Sequence, residues 1–139
     1  MISRLPRWVW IGGSALAFIA GMINAIGLMG FQHQAVTHLT GTTTLVSLAV
    51  SSADFMQAFY FLAILLSFLF GAILSGFIIQ DNTLKLGRRY GAALLLESAL
   101  LFLSVPLLEG YNGWGVCLAS CACGLQNAMA STYSGTVIR

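Results

Sequence analysis

Charge is what this sequence has least of. Six Lys and Arg and four Asp and Glu make up 7% of its 139 residues, where a soluble domain carries about a quarter. The net charge of +2 is too small for a nucleic-acid partner, and no basic stripe with interleaved aromatics is present. Cysteine is scarce as well. Cys117, Cys121 and Cys123 share one helix-length apolar segment, and an odd number placed so argues against a disulfide framework. There is no nucleophilic triad, phosphate-binding loop or pair of catalytic carboxylates. Asp54, Asp81 and Glu109 lie at the ends of apolar runs or between them, where solvent holds them charged. An enzyme is therefore not expected, and no cofactor or metal site is called for.

What the sequence has in abundance is apolar length. Hydrophobic residues reach 58% and the mean hydropathy is +0.89. An uncharged run of about 18 residues or more crosses a hydrocarbon layer of about 30 Å as a helix. In lipid the backbone must satisfy its own hydrogen bonds, which makes the helix the default spanning element. The expected fold is an all-α polytopic helical bundle, a single transmembrane domain over residues 1–139 with the lipid bilayer as its solvent. Four runs read as spans: residues 8–30, 55–79, 90–108 and 114–133. Trp8 and Trp10 stand where an aromatic belt meets the headgroups, with Arg4 and Arg7 just outside. Pro106 falls in the last turn of the third run, where it bends the end without breaking the span. Arg4, Arg7 and the small residues Ala15 to Ala17 also fit a cleaved signal peptide. Apolar character that continues to Gly30 favours a retained span.

Residues 35–52 differ. This stretch and the residues before it hold His33 and His38, then Thr37, Thr40, Gly41, Thr42, Thr43 and Thr44. The centre is polar, and the apolar part after Gly41 is too short to span alone. Lys and Arg mark the cytoplasmic side of short loops. If the Arg4/Arg7 and Lys85/Arg88/Arg89 clusters are both cytoplasmic, the chain crosses an even number of times between them. Two runs already supply that, so the Thr-rich stretch enters and leaves on one side as a re-entrant or broken element. The other reading is a full third crossing with one basic cluster outside.

A shift of 103 positions lays Gly21-Met22-Ile23-Asn24-Ala25 on Gly124-Leu125-Gln126-Asn127-Ala128, and Gly12 on Gly115. The shared Asn is the informative match in a chain so rich in Gly and Ala. With the re-entrant topology the first span runs outward and the last inward, as an inverted repeat requires. Arg139 is then cytoplasmic with the other basic clusters. A second repeat starting near residue 111 stops at Arg139, short of any counterpart to the Thr-rich stretch. The expectation is a truncated or split protein, completed by a missing C-terminal segment or by a second chain in a homo-oligomer.

Those motifs carry a family resemblance. G-M-I-N-A-I-G from Gly21, T-H-L-T-G at Thr37 to Gly41, the basic Gly87-Arg88-Arg89, an acid at Glu97 and G-L-Q-N-A from Gly124 together resemble the YoaK-like membrane proteins, a bacterial family of unknown function. The resemblance rests on order and spacing and covers nearly the whole chain. It implies a multi-pass protein of the bacterial plasma (inner) membrane and no assigned activity. Two positions depart from the family pattern. Asn24 stands where an Asp is usual in the first helix, and Thr42 stands where an Asn usually follows Thr-Gly.

Glu97 is the sharpest candidate for chemistry. It lies near the middle of a span, where an ionised acid costs about 2.5–3.5 kcal/mol on insertion scales and burial disfavours the charged form. It reads as a proton- or cation-binding group facing the bundle interior, or as a protonated structural acid bonded to a neighbouring helix. Asn24 and Asn127 read as buried amides, either interhelical glue worth roughly 0.6–2 kcal/mol each or the lining of a pseudo-symmetric mid-membrane site together with Gln126. His33 and His38 are five residues apart, not the four that same-face metal ligands on a helix prefer. His38 instead suits site-lining polarity. Thr37, Thr40, Gly41 and Thr42 offer hydroxyls and a flexible joint to an ion or solute, unless the hydroxyls bond back to their own helix. Cys117 and Cys121 share a helix face that Cys123 does not, and all three read as small packing residues. Ala17/Gly21, Ala72/Gly76 and Ser120/Gly124 are small-xxx-small pairs that favour close helix packing.

The expected function is that of a transporter-like protein for an unknown small solute or ion, proton-coupled through Glu97, with its N-terminus cytoplasmic. The alternative is a non-transporting membrane scaffold or an assembly or regulatory subunit.

Overall fold

The computed structural model describes residues 7–29, 39–79, 88–110, 112–133 and 136–137. It is an all-α membrane bundle of five helices: α1 (Arg7–Met29), α2 (Leu39–Ser51), α3 (Phe55–Ile79), α4 (Arg88–Glu109) and α5 (Gly113–Ser131). A two-residue ladder, β1 (Thr132–Tyr133) with β2 (Thr136–Val137), follows α5. Three helices are long and apolar enough to cross a membrane, over Trp10–Gly27, Phe55–Ile79 and Tyr90–Glu109. Large side chains on their outer faces, among them Phe18, Phe59, Phe77 and Phe102, are exposed, as lipid-facing residues must be.

α5 is the fourth expected span and the exception. It is not among the three apolar helices, and it ends at Ser131, so Tyr133 falls in the ladder. Twelve of its nineteen residues are buried. A helix wrapped by protein does not need an apolar surface on every side, and this one is built from Gly, Ala, Ser and Cys.

The α3–α5 seam holds the bundle together. A Cβ on Gly124 would overlap the backbone carbonyl of Phe68, and one on Gly71 would overlap the carbonyl of Cys121. The two backbones therefore meet with nothing between them, which only glycine permits. Ser120 Oγ donates to the Ile64 carbonyl at 2.9 Å. The pairs Ile64–Ser120 and Phe68–Gly124 climb together, so α3 and α5 run parallel. Phe61, Ile64 and Phe68 of α3, Val116, Cys117 and Cys123 of α5, and Ala49 of α2 form the larger core cluster. The small-residue pair at Ser120/Gly124 lies in this seam. On α3 the contact uses Gly71 and Ser75 in place of Ala72/Gly76: a Cβ on Gly76 would meet nothing within 4 Å, as is also true of Gly21.

α2 is a single short helix of thirteen residues, about 20 Å long at 1.5 Å per residue. It runs through Gly41 without a break. Four of its hydroxyls bond to their own helix: Thr43 Oγ1 to the Leu39 carbonyl at 2.8 Å, Thr44 Oγ1 to that of Thr40 at 2.9 Å, Ser47 Oγ to that of Thr43 at 3.1 Å and Ser51 Oγ to that of Leu48 at 2.8 Å. The joint expected at Gly41 is thus absent from the described part of the segment, and whether residues 35–52 cross depends on chain outside the described residues. α2 ends in a helix-terminating pair of bonds, Asp54 N–H to the Ala49 carbonyl at 2.9 Å and Ala53 N–H to that of Val50 at 3.1 Å. Ala53 takes the left-handed conformation there, with φ 57°. Asp54 then starts α3, its Oδ1 accepting the Gln57 N–H at 3.1 Å, an N-cap.

Candidate functional site

α4 lies antiparallel to α5. Tyr90 Oη donates to the Met129 carbonyl at 2.8 Å, Glu97 lies close enough to Cys123 for their charges to interact, and Leu108 packs on Gly115. Met129 is in the last turn of α5, where a carbonyl has no donor in its own helix, and Tyr90 supplies one. Ala93, Leu125 and Met129 form a second, fully buried cluster beside it. Tyr90, Ala93 and Glu97 recur at spacings of three and four, so they share one face of α4.

Glu97 is at the middle of this seam. It is nine residues from the start of a 22-residue helix and only 6% exposed. Its Oε2 is buried with no hydrogen-bond partner among the described residues. Gln126 is 5% exposed, and its Nε2 is likewise buried and unpartnered. It stands three residues after Cys123 and three before Met129, on the face of α5 that meets α4. The antiparallel register sets it about 4.5 Å along the axis from the level of Glu97. One orphaned acceptor, in the middle of α4, and one orphaned donor on α5 thus face the same seam.

The helices packed around this carboxyl are poor in basic residues. α2, α3 and α5 contain no Lys, Arg or His, and those of α4 are Arg88 and Arg89, just over two turns before Glu97. Two further polar atoms are buried and unpartnered among the described residues, Ser75 Oγ and Tyr60 Oη. Tyr60 belongs to the other end of the bundle, against Gly113.

The remaining expected site residues are dispersed. Thr37 and His38, like His33, lie outside the described residues. Thr42 is buried, whereas Thr40 and Gly41 are exposed, and α2 packs chiefly on α3. Asn24 is half-buried and engaged in an interaction. Asn127 is exposed, so of the two expected buried amides neither is fully enclosed, and the enclosed amide is the neighbouring Gln126. Cys117 and Cys123 both join the core cluster with Phe61, Ile64 and Phe68 of α3; Cys117 also lies beside Ser67, and Cys123 is within electrostatic reach of Glu97 on α4. All three cysteines are free thiols. Tyr90 was not among the expected site residues, although its phase with Glu97 carried the signal. Ser75 was missed too; a serine in mid-span is the only mark it leaves in sequence.

No curated protein and no solved structure matches this chain. A family profile does match, over residues 12–139, nearly its full length. The chain belongs to the family described as "Protein of unknown function (DUF1275)".

Proposed function

We propose that this protein is a transporter-like member of its family that handles a small solute or ion, with Glu97 as the proton- or cation-binding group. The observation that carries the reading is the buried Glu97 carboxyl, with an unpartnered oxygen, opposite the unpartnered amide of Gln126. A polar group buried without a partner costs roughly 1–3 kcal/mol, and ionisable residues within membrane helices mark ion and proton pathways. No catalytic set accompanies the pair, which favours carriage over chemistry.

In this reading α5 spans the membrane with α1, α3 and α4, shielded from lipid by α3 and α4. The N-terminus is cytoplasmic, and the membrane is the bacterial plasma (inner) membrane, as the YoaK-like motif order implies. Proteoliposome flux against a panel of small solutes and ions tests the proposal. A flux that Glu97→Gln abolishes while the protein still inserts supports it. Unchanged flux in that variant removes Glu97 from the pathway.

A second reading, a non-transporting scaffold or assembly subunit, draws on α2. Four of its hydroxyls, those of Thr43, Thr44, Ser47 and Ser51, bond to their own backbone, as in a packing helix. Accessibility labelling of single cysteines along Thr37 to Thr44 separates the two. Labelling by a water-soluble reagent favours a pathway; complete protection favours the scaffold.

A further inference from the structure

Proposing an ion-binding Glu97 leaves the ion unnamed, and the composition of the seam bears on it. Resting on that reading, we propose that the species Glu97 takes up is a proton and not a metal cation, and that the Gln126 amide is the positioning group that holds the carboxylate once the proton has left.

The first argument is a count of ligands. A dehydrated hard cation takes about six oxygen ligands. The buried cluster of this seam, Ala93, Leu125 and Met129, carries no side-chain oxygen, nor does Cys123, and Tyr90 Oη is committed to the Met129 carbonyl. The carboxyl of Glu97 and the Oε1 of Gln126 supply three oxygens together, and even the unpartnered Ser75 Oγ of α3 would bring the set only to four. Ser104, two turns on, donates to the Leu101 carbonyl at 2.7 Å. Backbone carbonyls are taken up within α4 and α5, which are unbroken at this level. The carbonyl released by Pro106 belongs to Phe102, about 7.5 Å further along the axis. With Glu97 and Gln126 6% and 5% exposed, a hydration shell does not make up the difference. A soft cation fares no better, since no cluster of three or more His, Cys, Asp and Glu is present among the described residues. A proton needs one acceptor oxygen.

The second argument is charge. When the acid releases its proton, the O–H bond breaks, its electron pair stays on the carboxylate and nothing else changes. The anion then needs a donor. From α5 it faces the Cys123 thiol, a weak donor. On its own helix Tyr90 is committed to Met129, and Arg88 and Arg89 are more than two turns away. α3 offers no charged residue, and Tyr60, its one titratable group, sits at Gly113. α2 offers none, and α1 only Arg7 at its first position. Among the described residues two unpartnered side-chain donors remain, Ser75 Oγ, one turn beyond Gly71 on α3, and the Gln126 amide, on the face of α5 that meets α4; only the amide can serve both protonation states from that face. A primary amide presents a carbonyl acceptor to the protonated acid and an N–H donor to the carboxylate. One rotation of the amide serves both states, and hydrogen bonds to an ionised partner are the stronger kind.

Infrared difference spectroscopy of the full chain in nanodiscs tests this without any transport assay. The wild type should show one protonated-carboxyl C=O band from the membrane interior. That band should titrate with pH, shift in D2O, stay unchanged when sodium or potassium replaces choline at fixed pH, and vanish in Glu97→Gln. In Gln126→Met the band should persist to at least about tenfold lower proton concentration, as loss of a charge-assisted donor implies. A merely structural glutamine would leave that pH profile where it was, and such a result overturns the positioning role. Loss of the band on adding sodium or potassium overturns the assignment of the proton, and so does its survival in Glu97→Gln. If Glu97→Gln does not insert, Glu97→Asp takes its place: a displaced band supports the assignment and an unmoved one overturns it. A titrating band in a protein without flux retires the transport reading and leaves this one standing.

Discussion

Gly124→Ala is the sharpest single test of the bundle. The added methyl would overlap the Phe68 carbonyl, a backbone atom that no rotamer change can move. α3 and α5 must part by on the order of 1 Å, a gap that forfeits up to about half of each dispersion contact it opens. Those contacts include Phe61, Ile64 and Phe68. Overpacking of this kind costs about 1–3 kcal/mol. The Ser120–Ile64 bond, 2.9 Å at rest, stretches out of range and removes about 1 kcal/mol more. The total is roughly 2–4 kcal/mol, or about 30- to 1,000-fold in the folded-to-unfolded ratio. Gly71→Ala should behave alike, since its methyl meets the Cys121 carbonyl. Gly13→Ala and Gly21→Ala are the controls. Nothing lies within 4 Å of either, so they should be neutral or gain about 0.5–1 kcal/mol of helix propensity. Reversible SDS unfolding in dodecylmaltoside micelles, followed by far-ultraviolet circular dichroism, orders the four variants. If Gly124→Ala and Gly71→Ala unfold where Gly21→Ala does, the backbone-to-backbone seam is wrong.

The same unfolding assay reads three smaller effects. Tyr90→Phe strips the Met129 carbonyl of its side-chain donor and should cost about 1–2 kcal/mol. Asp54→Ala removes the α3 N-cap and should cost about 1 kcal/mol. Ala53→Gly relieves a left-handed φ of 57° and should gain up to about 1 kcal/mol, since an L side chain costs roughly 1–2 kcal/mol there and glycine's added chain entropy offsets part of the relief. Hydrogen exchange should find α1 opening before α3, because 6% of its apolar window is buried against 22% for α3; equal protection in the two helices would contradict the packing.

The helical membrane fold was legible because it needs only two signals, apolar length and lack of charge, and both are written along the chain. The pairing of helices was less so. Ala72/Gly76 and Gly71/Ser75 are both small-xxx-small pairs, offset by one residue, and sequence does not say which points inward. The choice falls on Gly71 and Ser75 because they continue the stripe of Ile64 and Phe68 already turned toward α5. Glu97 was legible, since an acid in mid-span has no cheap outward orientation. Gln126 and Asn127 are adjacent, and the repeat directed attention to Asn127, yet a helix turns by about 100° between neighbours, so only one of the two can face α4. That fact follows from the α4–α5 register, which no local pattern encodes. Thr43 and Thr44 show how polarity counted along the chain is absorbed locally. Polarity counted along the chain looks like a pathway, but a hydroxyl in a helix can return its hydrogen bond to the carbonyl a turn before.

Burial in this protein does not follow apolarity. α3 and α4 qualify as apolar spans yet show broad outer faces, while α5 does not qualify and is mostly enclosed. Lipid tails attract an apolar side chain as well as another helix does, so in a bilayer the buried helix is the one that others can approach most closely. Gly115 and Gly124 give α5 that approach. α1 matches them with Gly12 and Gly21, yet both stand open, so small residues permit an approach without ensuring one; a partner helix must present a matching surface, as α3 does with Gly71. The close α3–α5 seam has a chemical consequence. It encloses α5 enough for a glutamine to be buried there, and that glutamine gives the acid on α4 a polar surface to face. The glycines that draw the backbones together and the Glu97–Gln126 pair are therefore parts of one arrangement, the first being the condition for the second.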